Sequence, residues 1–401
     1  MDIAEKALVQ AEGDLEEAIL IVKENRVDAN TDTSLLYIED DDLRYKNISE
    51  QFEAQSNAVV IAMMDISGCY SDDTEILTKR GWLLFKDSQE DDFFATRNPE
   101  TQDFEWQKAT DFMCYDYNGE LYNFYSKYVD LAVTPNHRML ISKRINDNKR
   151  KECILLAEEL DNYSCTTKSA NICIPTDSKW YGEKIISKKF GDYEISGDDY
   201  CALIGMYLSE GSLRRKTGRI VIAQYEKSYG FKYFKSLLDK ICNDKMNIWY
   251  SGKQFEFRWP ELCDYLSPMG TRAFNKKIPD DIMNATSEQI KIFWHYYWLG
   301  DGSKGKNKVD SVISTTSPFI RDQLLELSQK LGFQANFYID DRNRIGQPIG
   351  NGKYTRKTHH PCYRIAKYET NMSSFNKRKI AYRGKVYCVS VPNGIVYVRR
   401  N

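Results

Sequence analysis

Cys69 stands directly after Gly68, and a Thr134-x-x-His137 step follows it 65 positions later. A cysteine beside a glycine carbonyl is placed to attack it and turn the amide into a thioester, because the thiolate is a strong nucleophile. Gly68 has no side chain to obstruct that approach. The shift runs uphill from a planar, resonance-stabilised amide. A second group must therefore distort the bond and give a proton to the departing nitrogen. His137 suits that task because imidazole titrates near neutrality. Thr134 suits holding or polarising the same bond.

A second set of residues has a different chemistry. ALIGMYLSEGSL (202–213) and HYYWLGDGSKG (295–305) each place an apolar or aromatic helical run before acid–Gly–Ser. The acids, Glu210 and Asp301, are 91 positions apart, and each precedes a short β-like piece, RIVIAQ or SVISTT. Two half-repeats of this kind predict pseudo-twofold packing. Carboxylates hold hard cations, and phosphodiester hydrolysis uses such metals to activate water and stabilise both oxygens. One acid–Gly helix end alone is a plain C-cap. Two copies with the block NKKIP (275–279) between them favour chemistry. A third candidate is Asp65-x-Ser67-Gly68, at the end of the apolar run NAVVIAMMDISG (57–68). That run predicts a buried central strand of an α/β unit, whose carboxyl end is where open sheets bind ligands. The plainer alternative, a helix cap, lacks a following helical pattern.

The elements around these residues change style along the chain. Residues 1–30 form an acidic helical stretch. From Cys69 to about Trp180, short Tyr-, Phe- and Val-rich β-like pieces are separated by Asp, Asn and Gly turns. Residues 198–362 mix helical patterns with aromatic strands, and the β-like style returns at RGKVYCVSVPNGIVYV (383–398). An all-β unit split by an α+β insertion is the simplest arrangement.

Charge divides the same way. The net charge of −2 conceals 5 basic and 16 acidic residues in 1–68, and 25 basic and 16 acidic residues in 201–360. The basic part predicts an anionic partner. With 42% hydrophobic and 28% charged residues, global disorder is excluded. The longest apolar run, Ala58–Met64, is too short to span a membrane. Ten cysteines without a C-x-x-C pair, and four histidines, give little support to a disulfide scaffold or structural zinc. A reducing, cytoplasmic setting is expected.

Cys69 with DDTEILTKRGW, TPNHRML (134–140) and RGKVYCVSVPNGIVYVRRN together resemble an intein, the protein-splicing family with a horseshoe-shaped, all-β Hedgehog/intein fold. The resemblance implies that Cys69 is the first nucleophile and that Thr134 and His137 contact the first peptide bond. It makes Cys388 an assistant at the junction steps, against the alternative of an inward strand residue. No cofactor is implied for splicing. CALIGMYLSEG and FWHYYWLGDG resemble the two motifs of LAGLIDADG (DOD-type) homing endonucleases, which such inteins carry. That implies Glu210 and Asp301 as Mg²⁺-binding acids, with Lys276 as a basic residue near the attacking water. Arg214, Arg215, Lys216, Arg219, Lys304, Lys306 and Lys308 would neutralise phosphates. The stretch DDLRYKNISEQFEAQSNAVVIAMMDISG resembles the YhbH/YeaH family, which implies a von Willebrand A-type metal site with Asp65 and Ser67 as ligands once splicing completes it.

The expected architecture is multidomain. A partial α/β host flank (1–68) precedes a splicing domain in two parts (69–190 and 366–401), interrupted by an α+β endonuclease (191–365). Gly394 stands where the family often has His, and the ending RRN at Asn401 resembles the interior of the family's last block, so the chain is expected to stop short of its true junction. The expected partner is double-stranded DNA at an uninterrupted host allele, bound by a monomer. One alternative is a degenerate nuclease domain that binds DNA without cutting it. Another is a non-enzymatic A-domain protein with an unrelated insertion.

Overall fold

The computed structural model divides the chain into two compact units, Met1–Ala54 and Gln55–Asn401. It describes residues 68–126, 129–146, 149–162, 172–175, 178–242, 246–304, 311–342, 345–349, 354–355, 359–368, 372–373 and 375–400, and the backbone of Val60–Met63. The acidic helical stretch at 1–30, Asp65, Ser67, Lys306, Lys308 and Asn401 lie outside the described residues. The architecture is mixed α/β with several sheets. No helix among the described residues is long and apolar enough to cross a membrane.

The β-rich part draws on both ends of the second unit. Asp111–Ser126 and Asn376–Ser390 pair antiparallel along their lengths and close a barrel with Tyr70–Ser71 and Val129–Val133. Burial explains the closure: Leu121–Phe124 and Val386–Val389 are buried on both strand faces, while the rest of each strand is exposed or half-buried. A six-stranded antiparallel sheet runs Val60–Met63, Ile395–Arg400, Thr74–Thr78, Phe93–Arg97, Phe104–Lys108, with Gly81–Leu84 hairpinned onto Thr74–Thr78. Part of the apolar run before Gly68 thus forms a strand, Val60–Met63, which among the described residues lies at the edge of this sheet. It pairs antiparallel with Ile395–Val398, which differs from the central α/β strand its composition predicts. An unbroken apolar run cannot distinguish the two placements.

Between these β segments lie six described helices: α1 (Gly197–Glu210), α2 (Phe231–Cys242), α3 (Pro260–Leu266), α4 (Asp280–Met283), α5 (Ser287–Asp301) and α6 (Pro318–Lys330). α1 starts where Ser196 Oγ accepts from Asp199 N, with Asp198 and Asp199 favouring its positive end. α5 starts likewise at Thr286, which accepts from Gln289 N. Each ends one residue before an extended glycine, Gly211 or Gly302, which opens a four-stranded sheet.

The two sheets share one topology. The first runs Gly211–Arg214, Arg219–Ala223, Gln254–Arg258, Trp249–Tyr250, and the second runs Gly302–Lys304, Ser311–Thr315, Cys362–Tyr368, Gln334–Asp340. Both place the first two strands side by side and the last strand before the third. Their registers coincide, with Gly211 opposite Ile222 and Gly302 opposite Ile313. α1 and α5 pack against each other so closely that a Cβ on Gly205 would stand 2.5 Å from Phe293 O and 3.0 Å from Tyr296 Cβ. A Cβ on Gly300 would stand 2.6 Å from Ser209 Cβ. Gly205 meets Tyr296, and Ser209 meets Gly300, each pair separated by the repeat interval of 91. Equivalent positions facing one another define a local twofold axis.

The β-rich part and the helical part share buried contacts. Arg399, 1% exposed, joins Glu75 at 2.5 Å and Asp322 of α6 at 2.6 Å. Lys330, also 1% exposed, donates to Met283 O at 2.7 Å. It pairs with Glu326 at 2.7 Å, and its ammonium lies 4.4 Å from the Trp180 ring centroid, facing Phe104 and Trp106 as well. Buried charges of this kind persist only when fully partnered.

Gly205→Val forces a branched side chain into the α1–α5 contact. Overpacking of this type costs about 1–3 kcal/mol. Thermal or denaturant unfolding should show that loss; an unchanged transition contradicts the close approach.

Candidate functional site

Two separate clusters hold the sequence-predicted residues. In the first, Tyr70 pairs with Val133 and with Tyr387, which brings Cys69 beside the turn carrying Thr134 and the strand carrying Cys388. Thr134 holds Cys69 from both sides. The Cys69 N–H donates to Thr134 Oγ1 at 2.9 Å, and the Thr134 N–H donates to Cys69 O at 3.0 Å. His137 N donates to Thr134 O at 3.0 Å, so the T-x-x-H step is a tight turn. Gly68 lies against that turn: a Cβ there would overlap the His137 backbone. The His137 ring meets the Tyr70 ring edge-on at 4.6 Å, and Cys69, Thr134 and His137 are all buried.

The thiol of Cys69 sits among other weak acids. Hydrogen bonding with Cys388 is the main influence, and with Tyr115 it outweighs burial, holding the Cys69 thiol below its ordinary value. Cys69 Sγ donates to the Tyr115 hydroxyl at 3.4 Å, and as a thiolate it would accept from it. Burial, with the charges of Cys388 and Cys69, pushes Tyr70 well up, and its hydroxyl has no hydrogen-bond partner among the described residues. Cys388 is 1% exposed and faces Cys69. Cys114 is exposed and Cys153 half-buried, Cys173 is buried elsewhere, and Cys165 lies outside the described residues.

In the second cluster, Glu210 and Asp301 end the paired helices and meet Lys276. Lys276 is 3% exposed, and its ammonium donates to the carbonyls of Tyr207 (2.8 Å), Leu208 (3.0 Å) and Gly211 (2.7 Å). Its three donors are therefore spent on the end of α1. In this arrangement Lys276 is a positioning residue that also sets a positive charge beside two carboxylates. Burial pushes its pKa down to about 8, against the pull of Asp301 and Glu210. Burial pushes Asp301 up to about 7, with the Glu210 charge adding to it and Lys276 and Tyr297 opposing. Glu210 is raised by burial and lowered by Lys276. Two costly carboxylates facing one another form a donor set suited to a divalent cation. Among the described residues there is no group of three or more His, Cys, Asp or Glu, so further ligands would come from water or a bound anion.

Beyond the first acid, the sheet presents a basic face. Ile220, Ile222, Phe255 and Phe257 turn inward, so Arg219, Glu256 and Arg258 turn outward. Arg214 and Arg219 both donate to Glu256 Oε1, at 3.0 and 2.8 Å. Arg215 and Lys216 are exposed in the turn Arg215–Thr217 between the first two strands. Lys304 follows the second acid in the equivalent strand, where its backbone alone is described. Glu256 and Arg258 escaped the sequence reading, although the alternation in KQFEFRW marks them as a polar face. Tyr115 and Tyr70 escaped it because aromatic residues recur throughout these strands, and only the barrel's register singles them out.

Residues 3–88 match the family described as a protein of unknown function (DUF444), a stretch that reaches across Cys69. Curated relatives match much more of the chain. They include an ATP-dependent Clp protease proteolytic subunit from Chlamydomonas moewusii, 25% identical over 69% of this chain and 29% of that protein. A ribonucleoside-diphosphate reductase subunit beta from Aquifex aeolicus is 25% identical over 82% and 48%. A DNA-directed RNA polymerase subunit beta C-terminal section from Stigeoclonium helveticum is 23% identical over 83% and 35%. The chain thus spans less than half the length of each. Among solved structures, a glutathione-linked, splice-inactive variant of the AceL NrdHF class 3 split intein is 22% identical, covering 32% of this chain and 71% of that one, with a TM-score of 0.20.

The acid cluster has a pH signature. Asp301 ordinarily titrates at 3.8 and here at about 7, so between those values the folded protein holds a proton that the unfolded chain releases. Its contribution to stability is complete below the lower value and is lost as pH rises toward the higher. In metal-free protein, Tm should fall across about pH 4–7 through this group, and Asp301→Asn should flatten that fall. An equal fall in both proteins contradicts the shift.

Proposed function

We propose that this chain is a protein-splicing element, an intein, with an embedded LAGLIDADG-type site-specific DNA endonuclease, interrupting a host protein near Gly68. The observation that carries the reading is the buried Cys69, whose backbone is clamped by Thr134 and whose thiol lies beside Cys388. In this reading the Cys69 thiol loses its proton, Sγ bonds to the Gly68 carbonyl carbon, and the Gly68–Cys69 C–N bond breaks. The Cys69 nitrogen takes up a proton, and a thioester remains. Thr134 fixes the scissile amide, His137 supplies the proton, and Tyr115 and Cys388 stabilise the sulfur anion. The edge strand Val60–Met63, paired to Ile395–Val398, anchors the upstream segment while the bond is attacked.

The names of the relatives support an inserted element. A protease subunit, a reductase subunit and a polymerase subunit share no activity, yet each matches this chain over a minor part of its own length. Unrelated proteins acquire a common segment when each hosts a self-excising insert. The DUF444 match at 3–88 supports a host upstream of Cys69. Asp65 and Ser67 would be metal ligands of that host once the insert is removed.

For the endonuclease, the paired helices, the two like-ordered sheets and the buried acids support the reading. Glu210 and Asp301 would hold Mg²⁺, which when bound supplies water activation and charge neutralisation at a phosphodiester. Lys276 fixes the end of α1 and so the position of Glu210. Arg214, Arg215, Lys216, Arg219 and Lys304, with Lys306 and Lys308, would meet phosphates of duplex DNA, and the Glu256 pairings keep Arg214 and Arg219 extended on the sheet face.

Hydroxylamine should release a fragment ending at Gly68, and Cys69→Ala should abolish the release; persistence in the alanine variant contradicts the splicing reading. On DNA carrying the host coding sequence without the insert, Glu210→Gln and Asp301→Asn should lower Mg²⁺-dependent cleavage about 100-fold or more, with binding retained. Cleavage at the wild-type rate sinks the site assignment.

A further inference from the structure

α5 has a second face that neither cluster uses. Its inner face packs on α1, while Lys291, Trp294, His295 and Trp298, spaced three and four apart, line a cavity of about 510 Å³. Phe333, after α6, and Lys367, on Cys362–Tyr368, form the opposite wall. Lys367 pairs with Ala335 and shares a sheet face with the buried Ile365 and Phe337. Alternation therefore puts the cavity on the helix side of that sheet, away from the face bearing Arg364.

The lining is unlike ordinary core. Trp294 and Phe333 meet edge-on at 5.1 Å, and the Lys367 ammonium stands 4.6 Å over the Phe333 ring. Neither Lys291 nor Lys367 has an ion-pair partner among the described residues. The Trp298 indole N–H is buried without a hydrogen-bond partner among them. Burial lowers the His295 pKa. Aromatic faces and two ammonium groups without ion-pair partners among the described residues, in a cavity of ordinary ligand size, together describe the complement of a flat heteroaromatic anion.

We propose that this cavity binds a nucleotide, with the base against Trp294, Trp298 and Phe333 and the phosphate between Lys291 and Lys367. Base stacking on aromatic side chains contributes about 1–3 kcal/mol per base. The same chemistry is available from a free nucleotide or from an unpaired nucleotide in a DNA strand.

The full chain should be titrated with each of the four deoxynucleoside monophosphates and, separately, with a short single-stranded oligonucleotide, by tryptophan fluorescence and calorimetry. Saturable binding of at least one is expected, and deoxyribose phosphate without a base should not compete. Binding of the monophosphates marks the free pool as the source; binding of the oligonucleotide alone marks a strand. Lys367→Glu should weaken binding about tenfold or more, and Lys291→Glu serves if that variant fails to fold. Trp298→Phe, which keeps an aromatic ring but reduces its stacking face, should weaken it less, and Glu210→Gln should leave it unchanged. Absence of saturable binding by any of these ligands, or wild-type affinity in all the pocket variants, overturns the proposal.

Discussion

The peptide between Gly68 and Cys69 is gripped by one residue. Thr134 accepts from the Cys69 N–H and donates to the Cys69 carbonyl. That grip requires Thr134 to sit opposite a strand of two residues, Tyr70–Ser71, so the barrel must close before the clamp exists. Closure in turn requires the pairing of Asp111–Ser126 with Asn376–Ser390, whose partners are separated by most of the chain. The arrangement around Cys69 thus depends on a pairing between strands far apart in the sequence. Loop closure over such distances is entropically costly, and the folded segment between the two strands shortens the effective loop.

That inserted segment is organised by a different constraint. Two helices meet along glycine and serine positions, and only such small residues let Glu210 and Asp301 approach. Burying the paired acids carries a cost, visible in the upward displacement of both carboxyl groups, to which the Glu210 charge adds at Asp301. Lys276 offsets part of it while holding α1 in place. In the proposed reading, the remainder is a cost that a bound divalent cation would relieve. Arg399 and Lys330 tie the helical part to the β-rich part through partnered, buried charges, so the insertion is docked instead of tethered.

Much of this was legible in the residues. Acid–Gly–Ser after an apolar helix, twice, foretold the paired helices, because helix ends carry strong local signals. Gly68-Cys69 and the T-x-x-H turn foretold neighbours, because the proposed chemistry needs both, and the structure does place Cys69 against Thr134. The edge position of Val60–Met63 was not legible: an apolar run specifies burial but not its partner. The role of Lys276 was also hidden, since three carbonyls from another element absorb it and only tertiary structure brings them there. Tyr115 was invisible for the same reason, one tyrosine among 27.

The most direct test of the clamp is the rate of thioester formation in Thr134→Val, followed as thiol-induced release at Gly68. Valine keeps the shape but removes the acceptor for the Cys69 N–H, a hydrogen bond of about 1–3 kcal/mol at a buried site. The rate should fall about 10- to 100-fold in protein that stays folded, with the unfolding transition lowered by no more than the unpaired N–H costs. An unchanged rate would contradict the account, because the scissile amide would then be held by something other than Thr134.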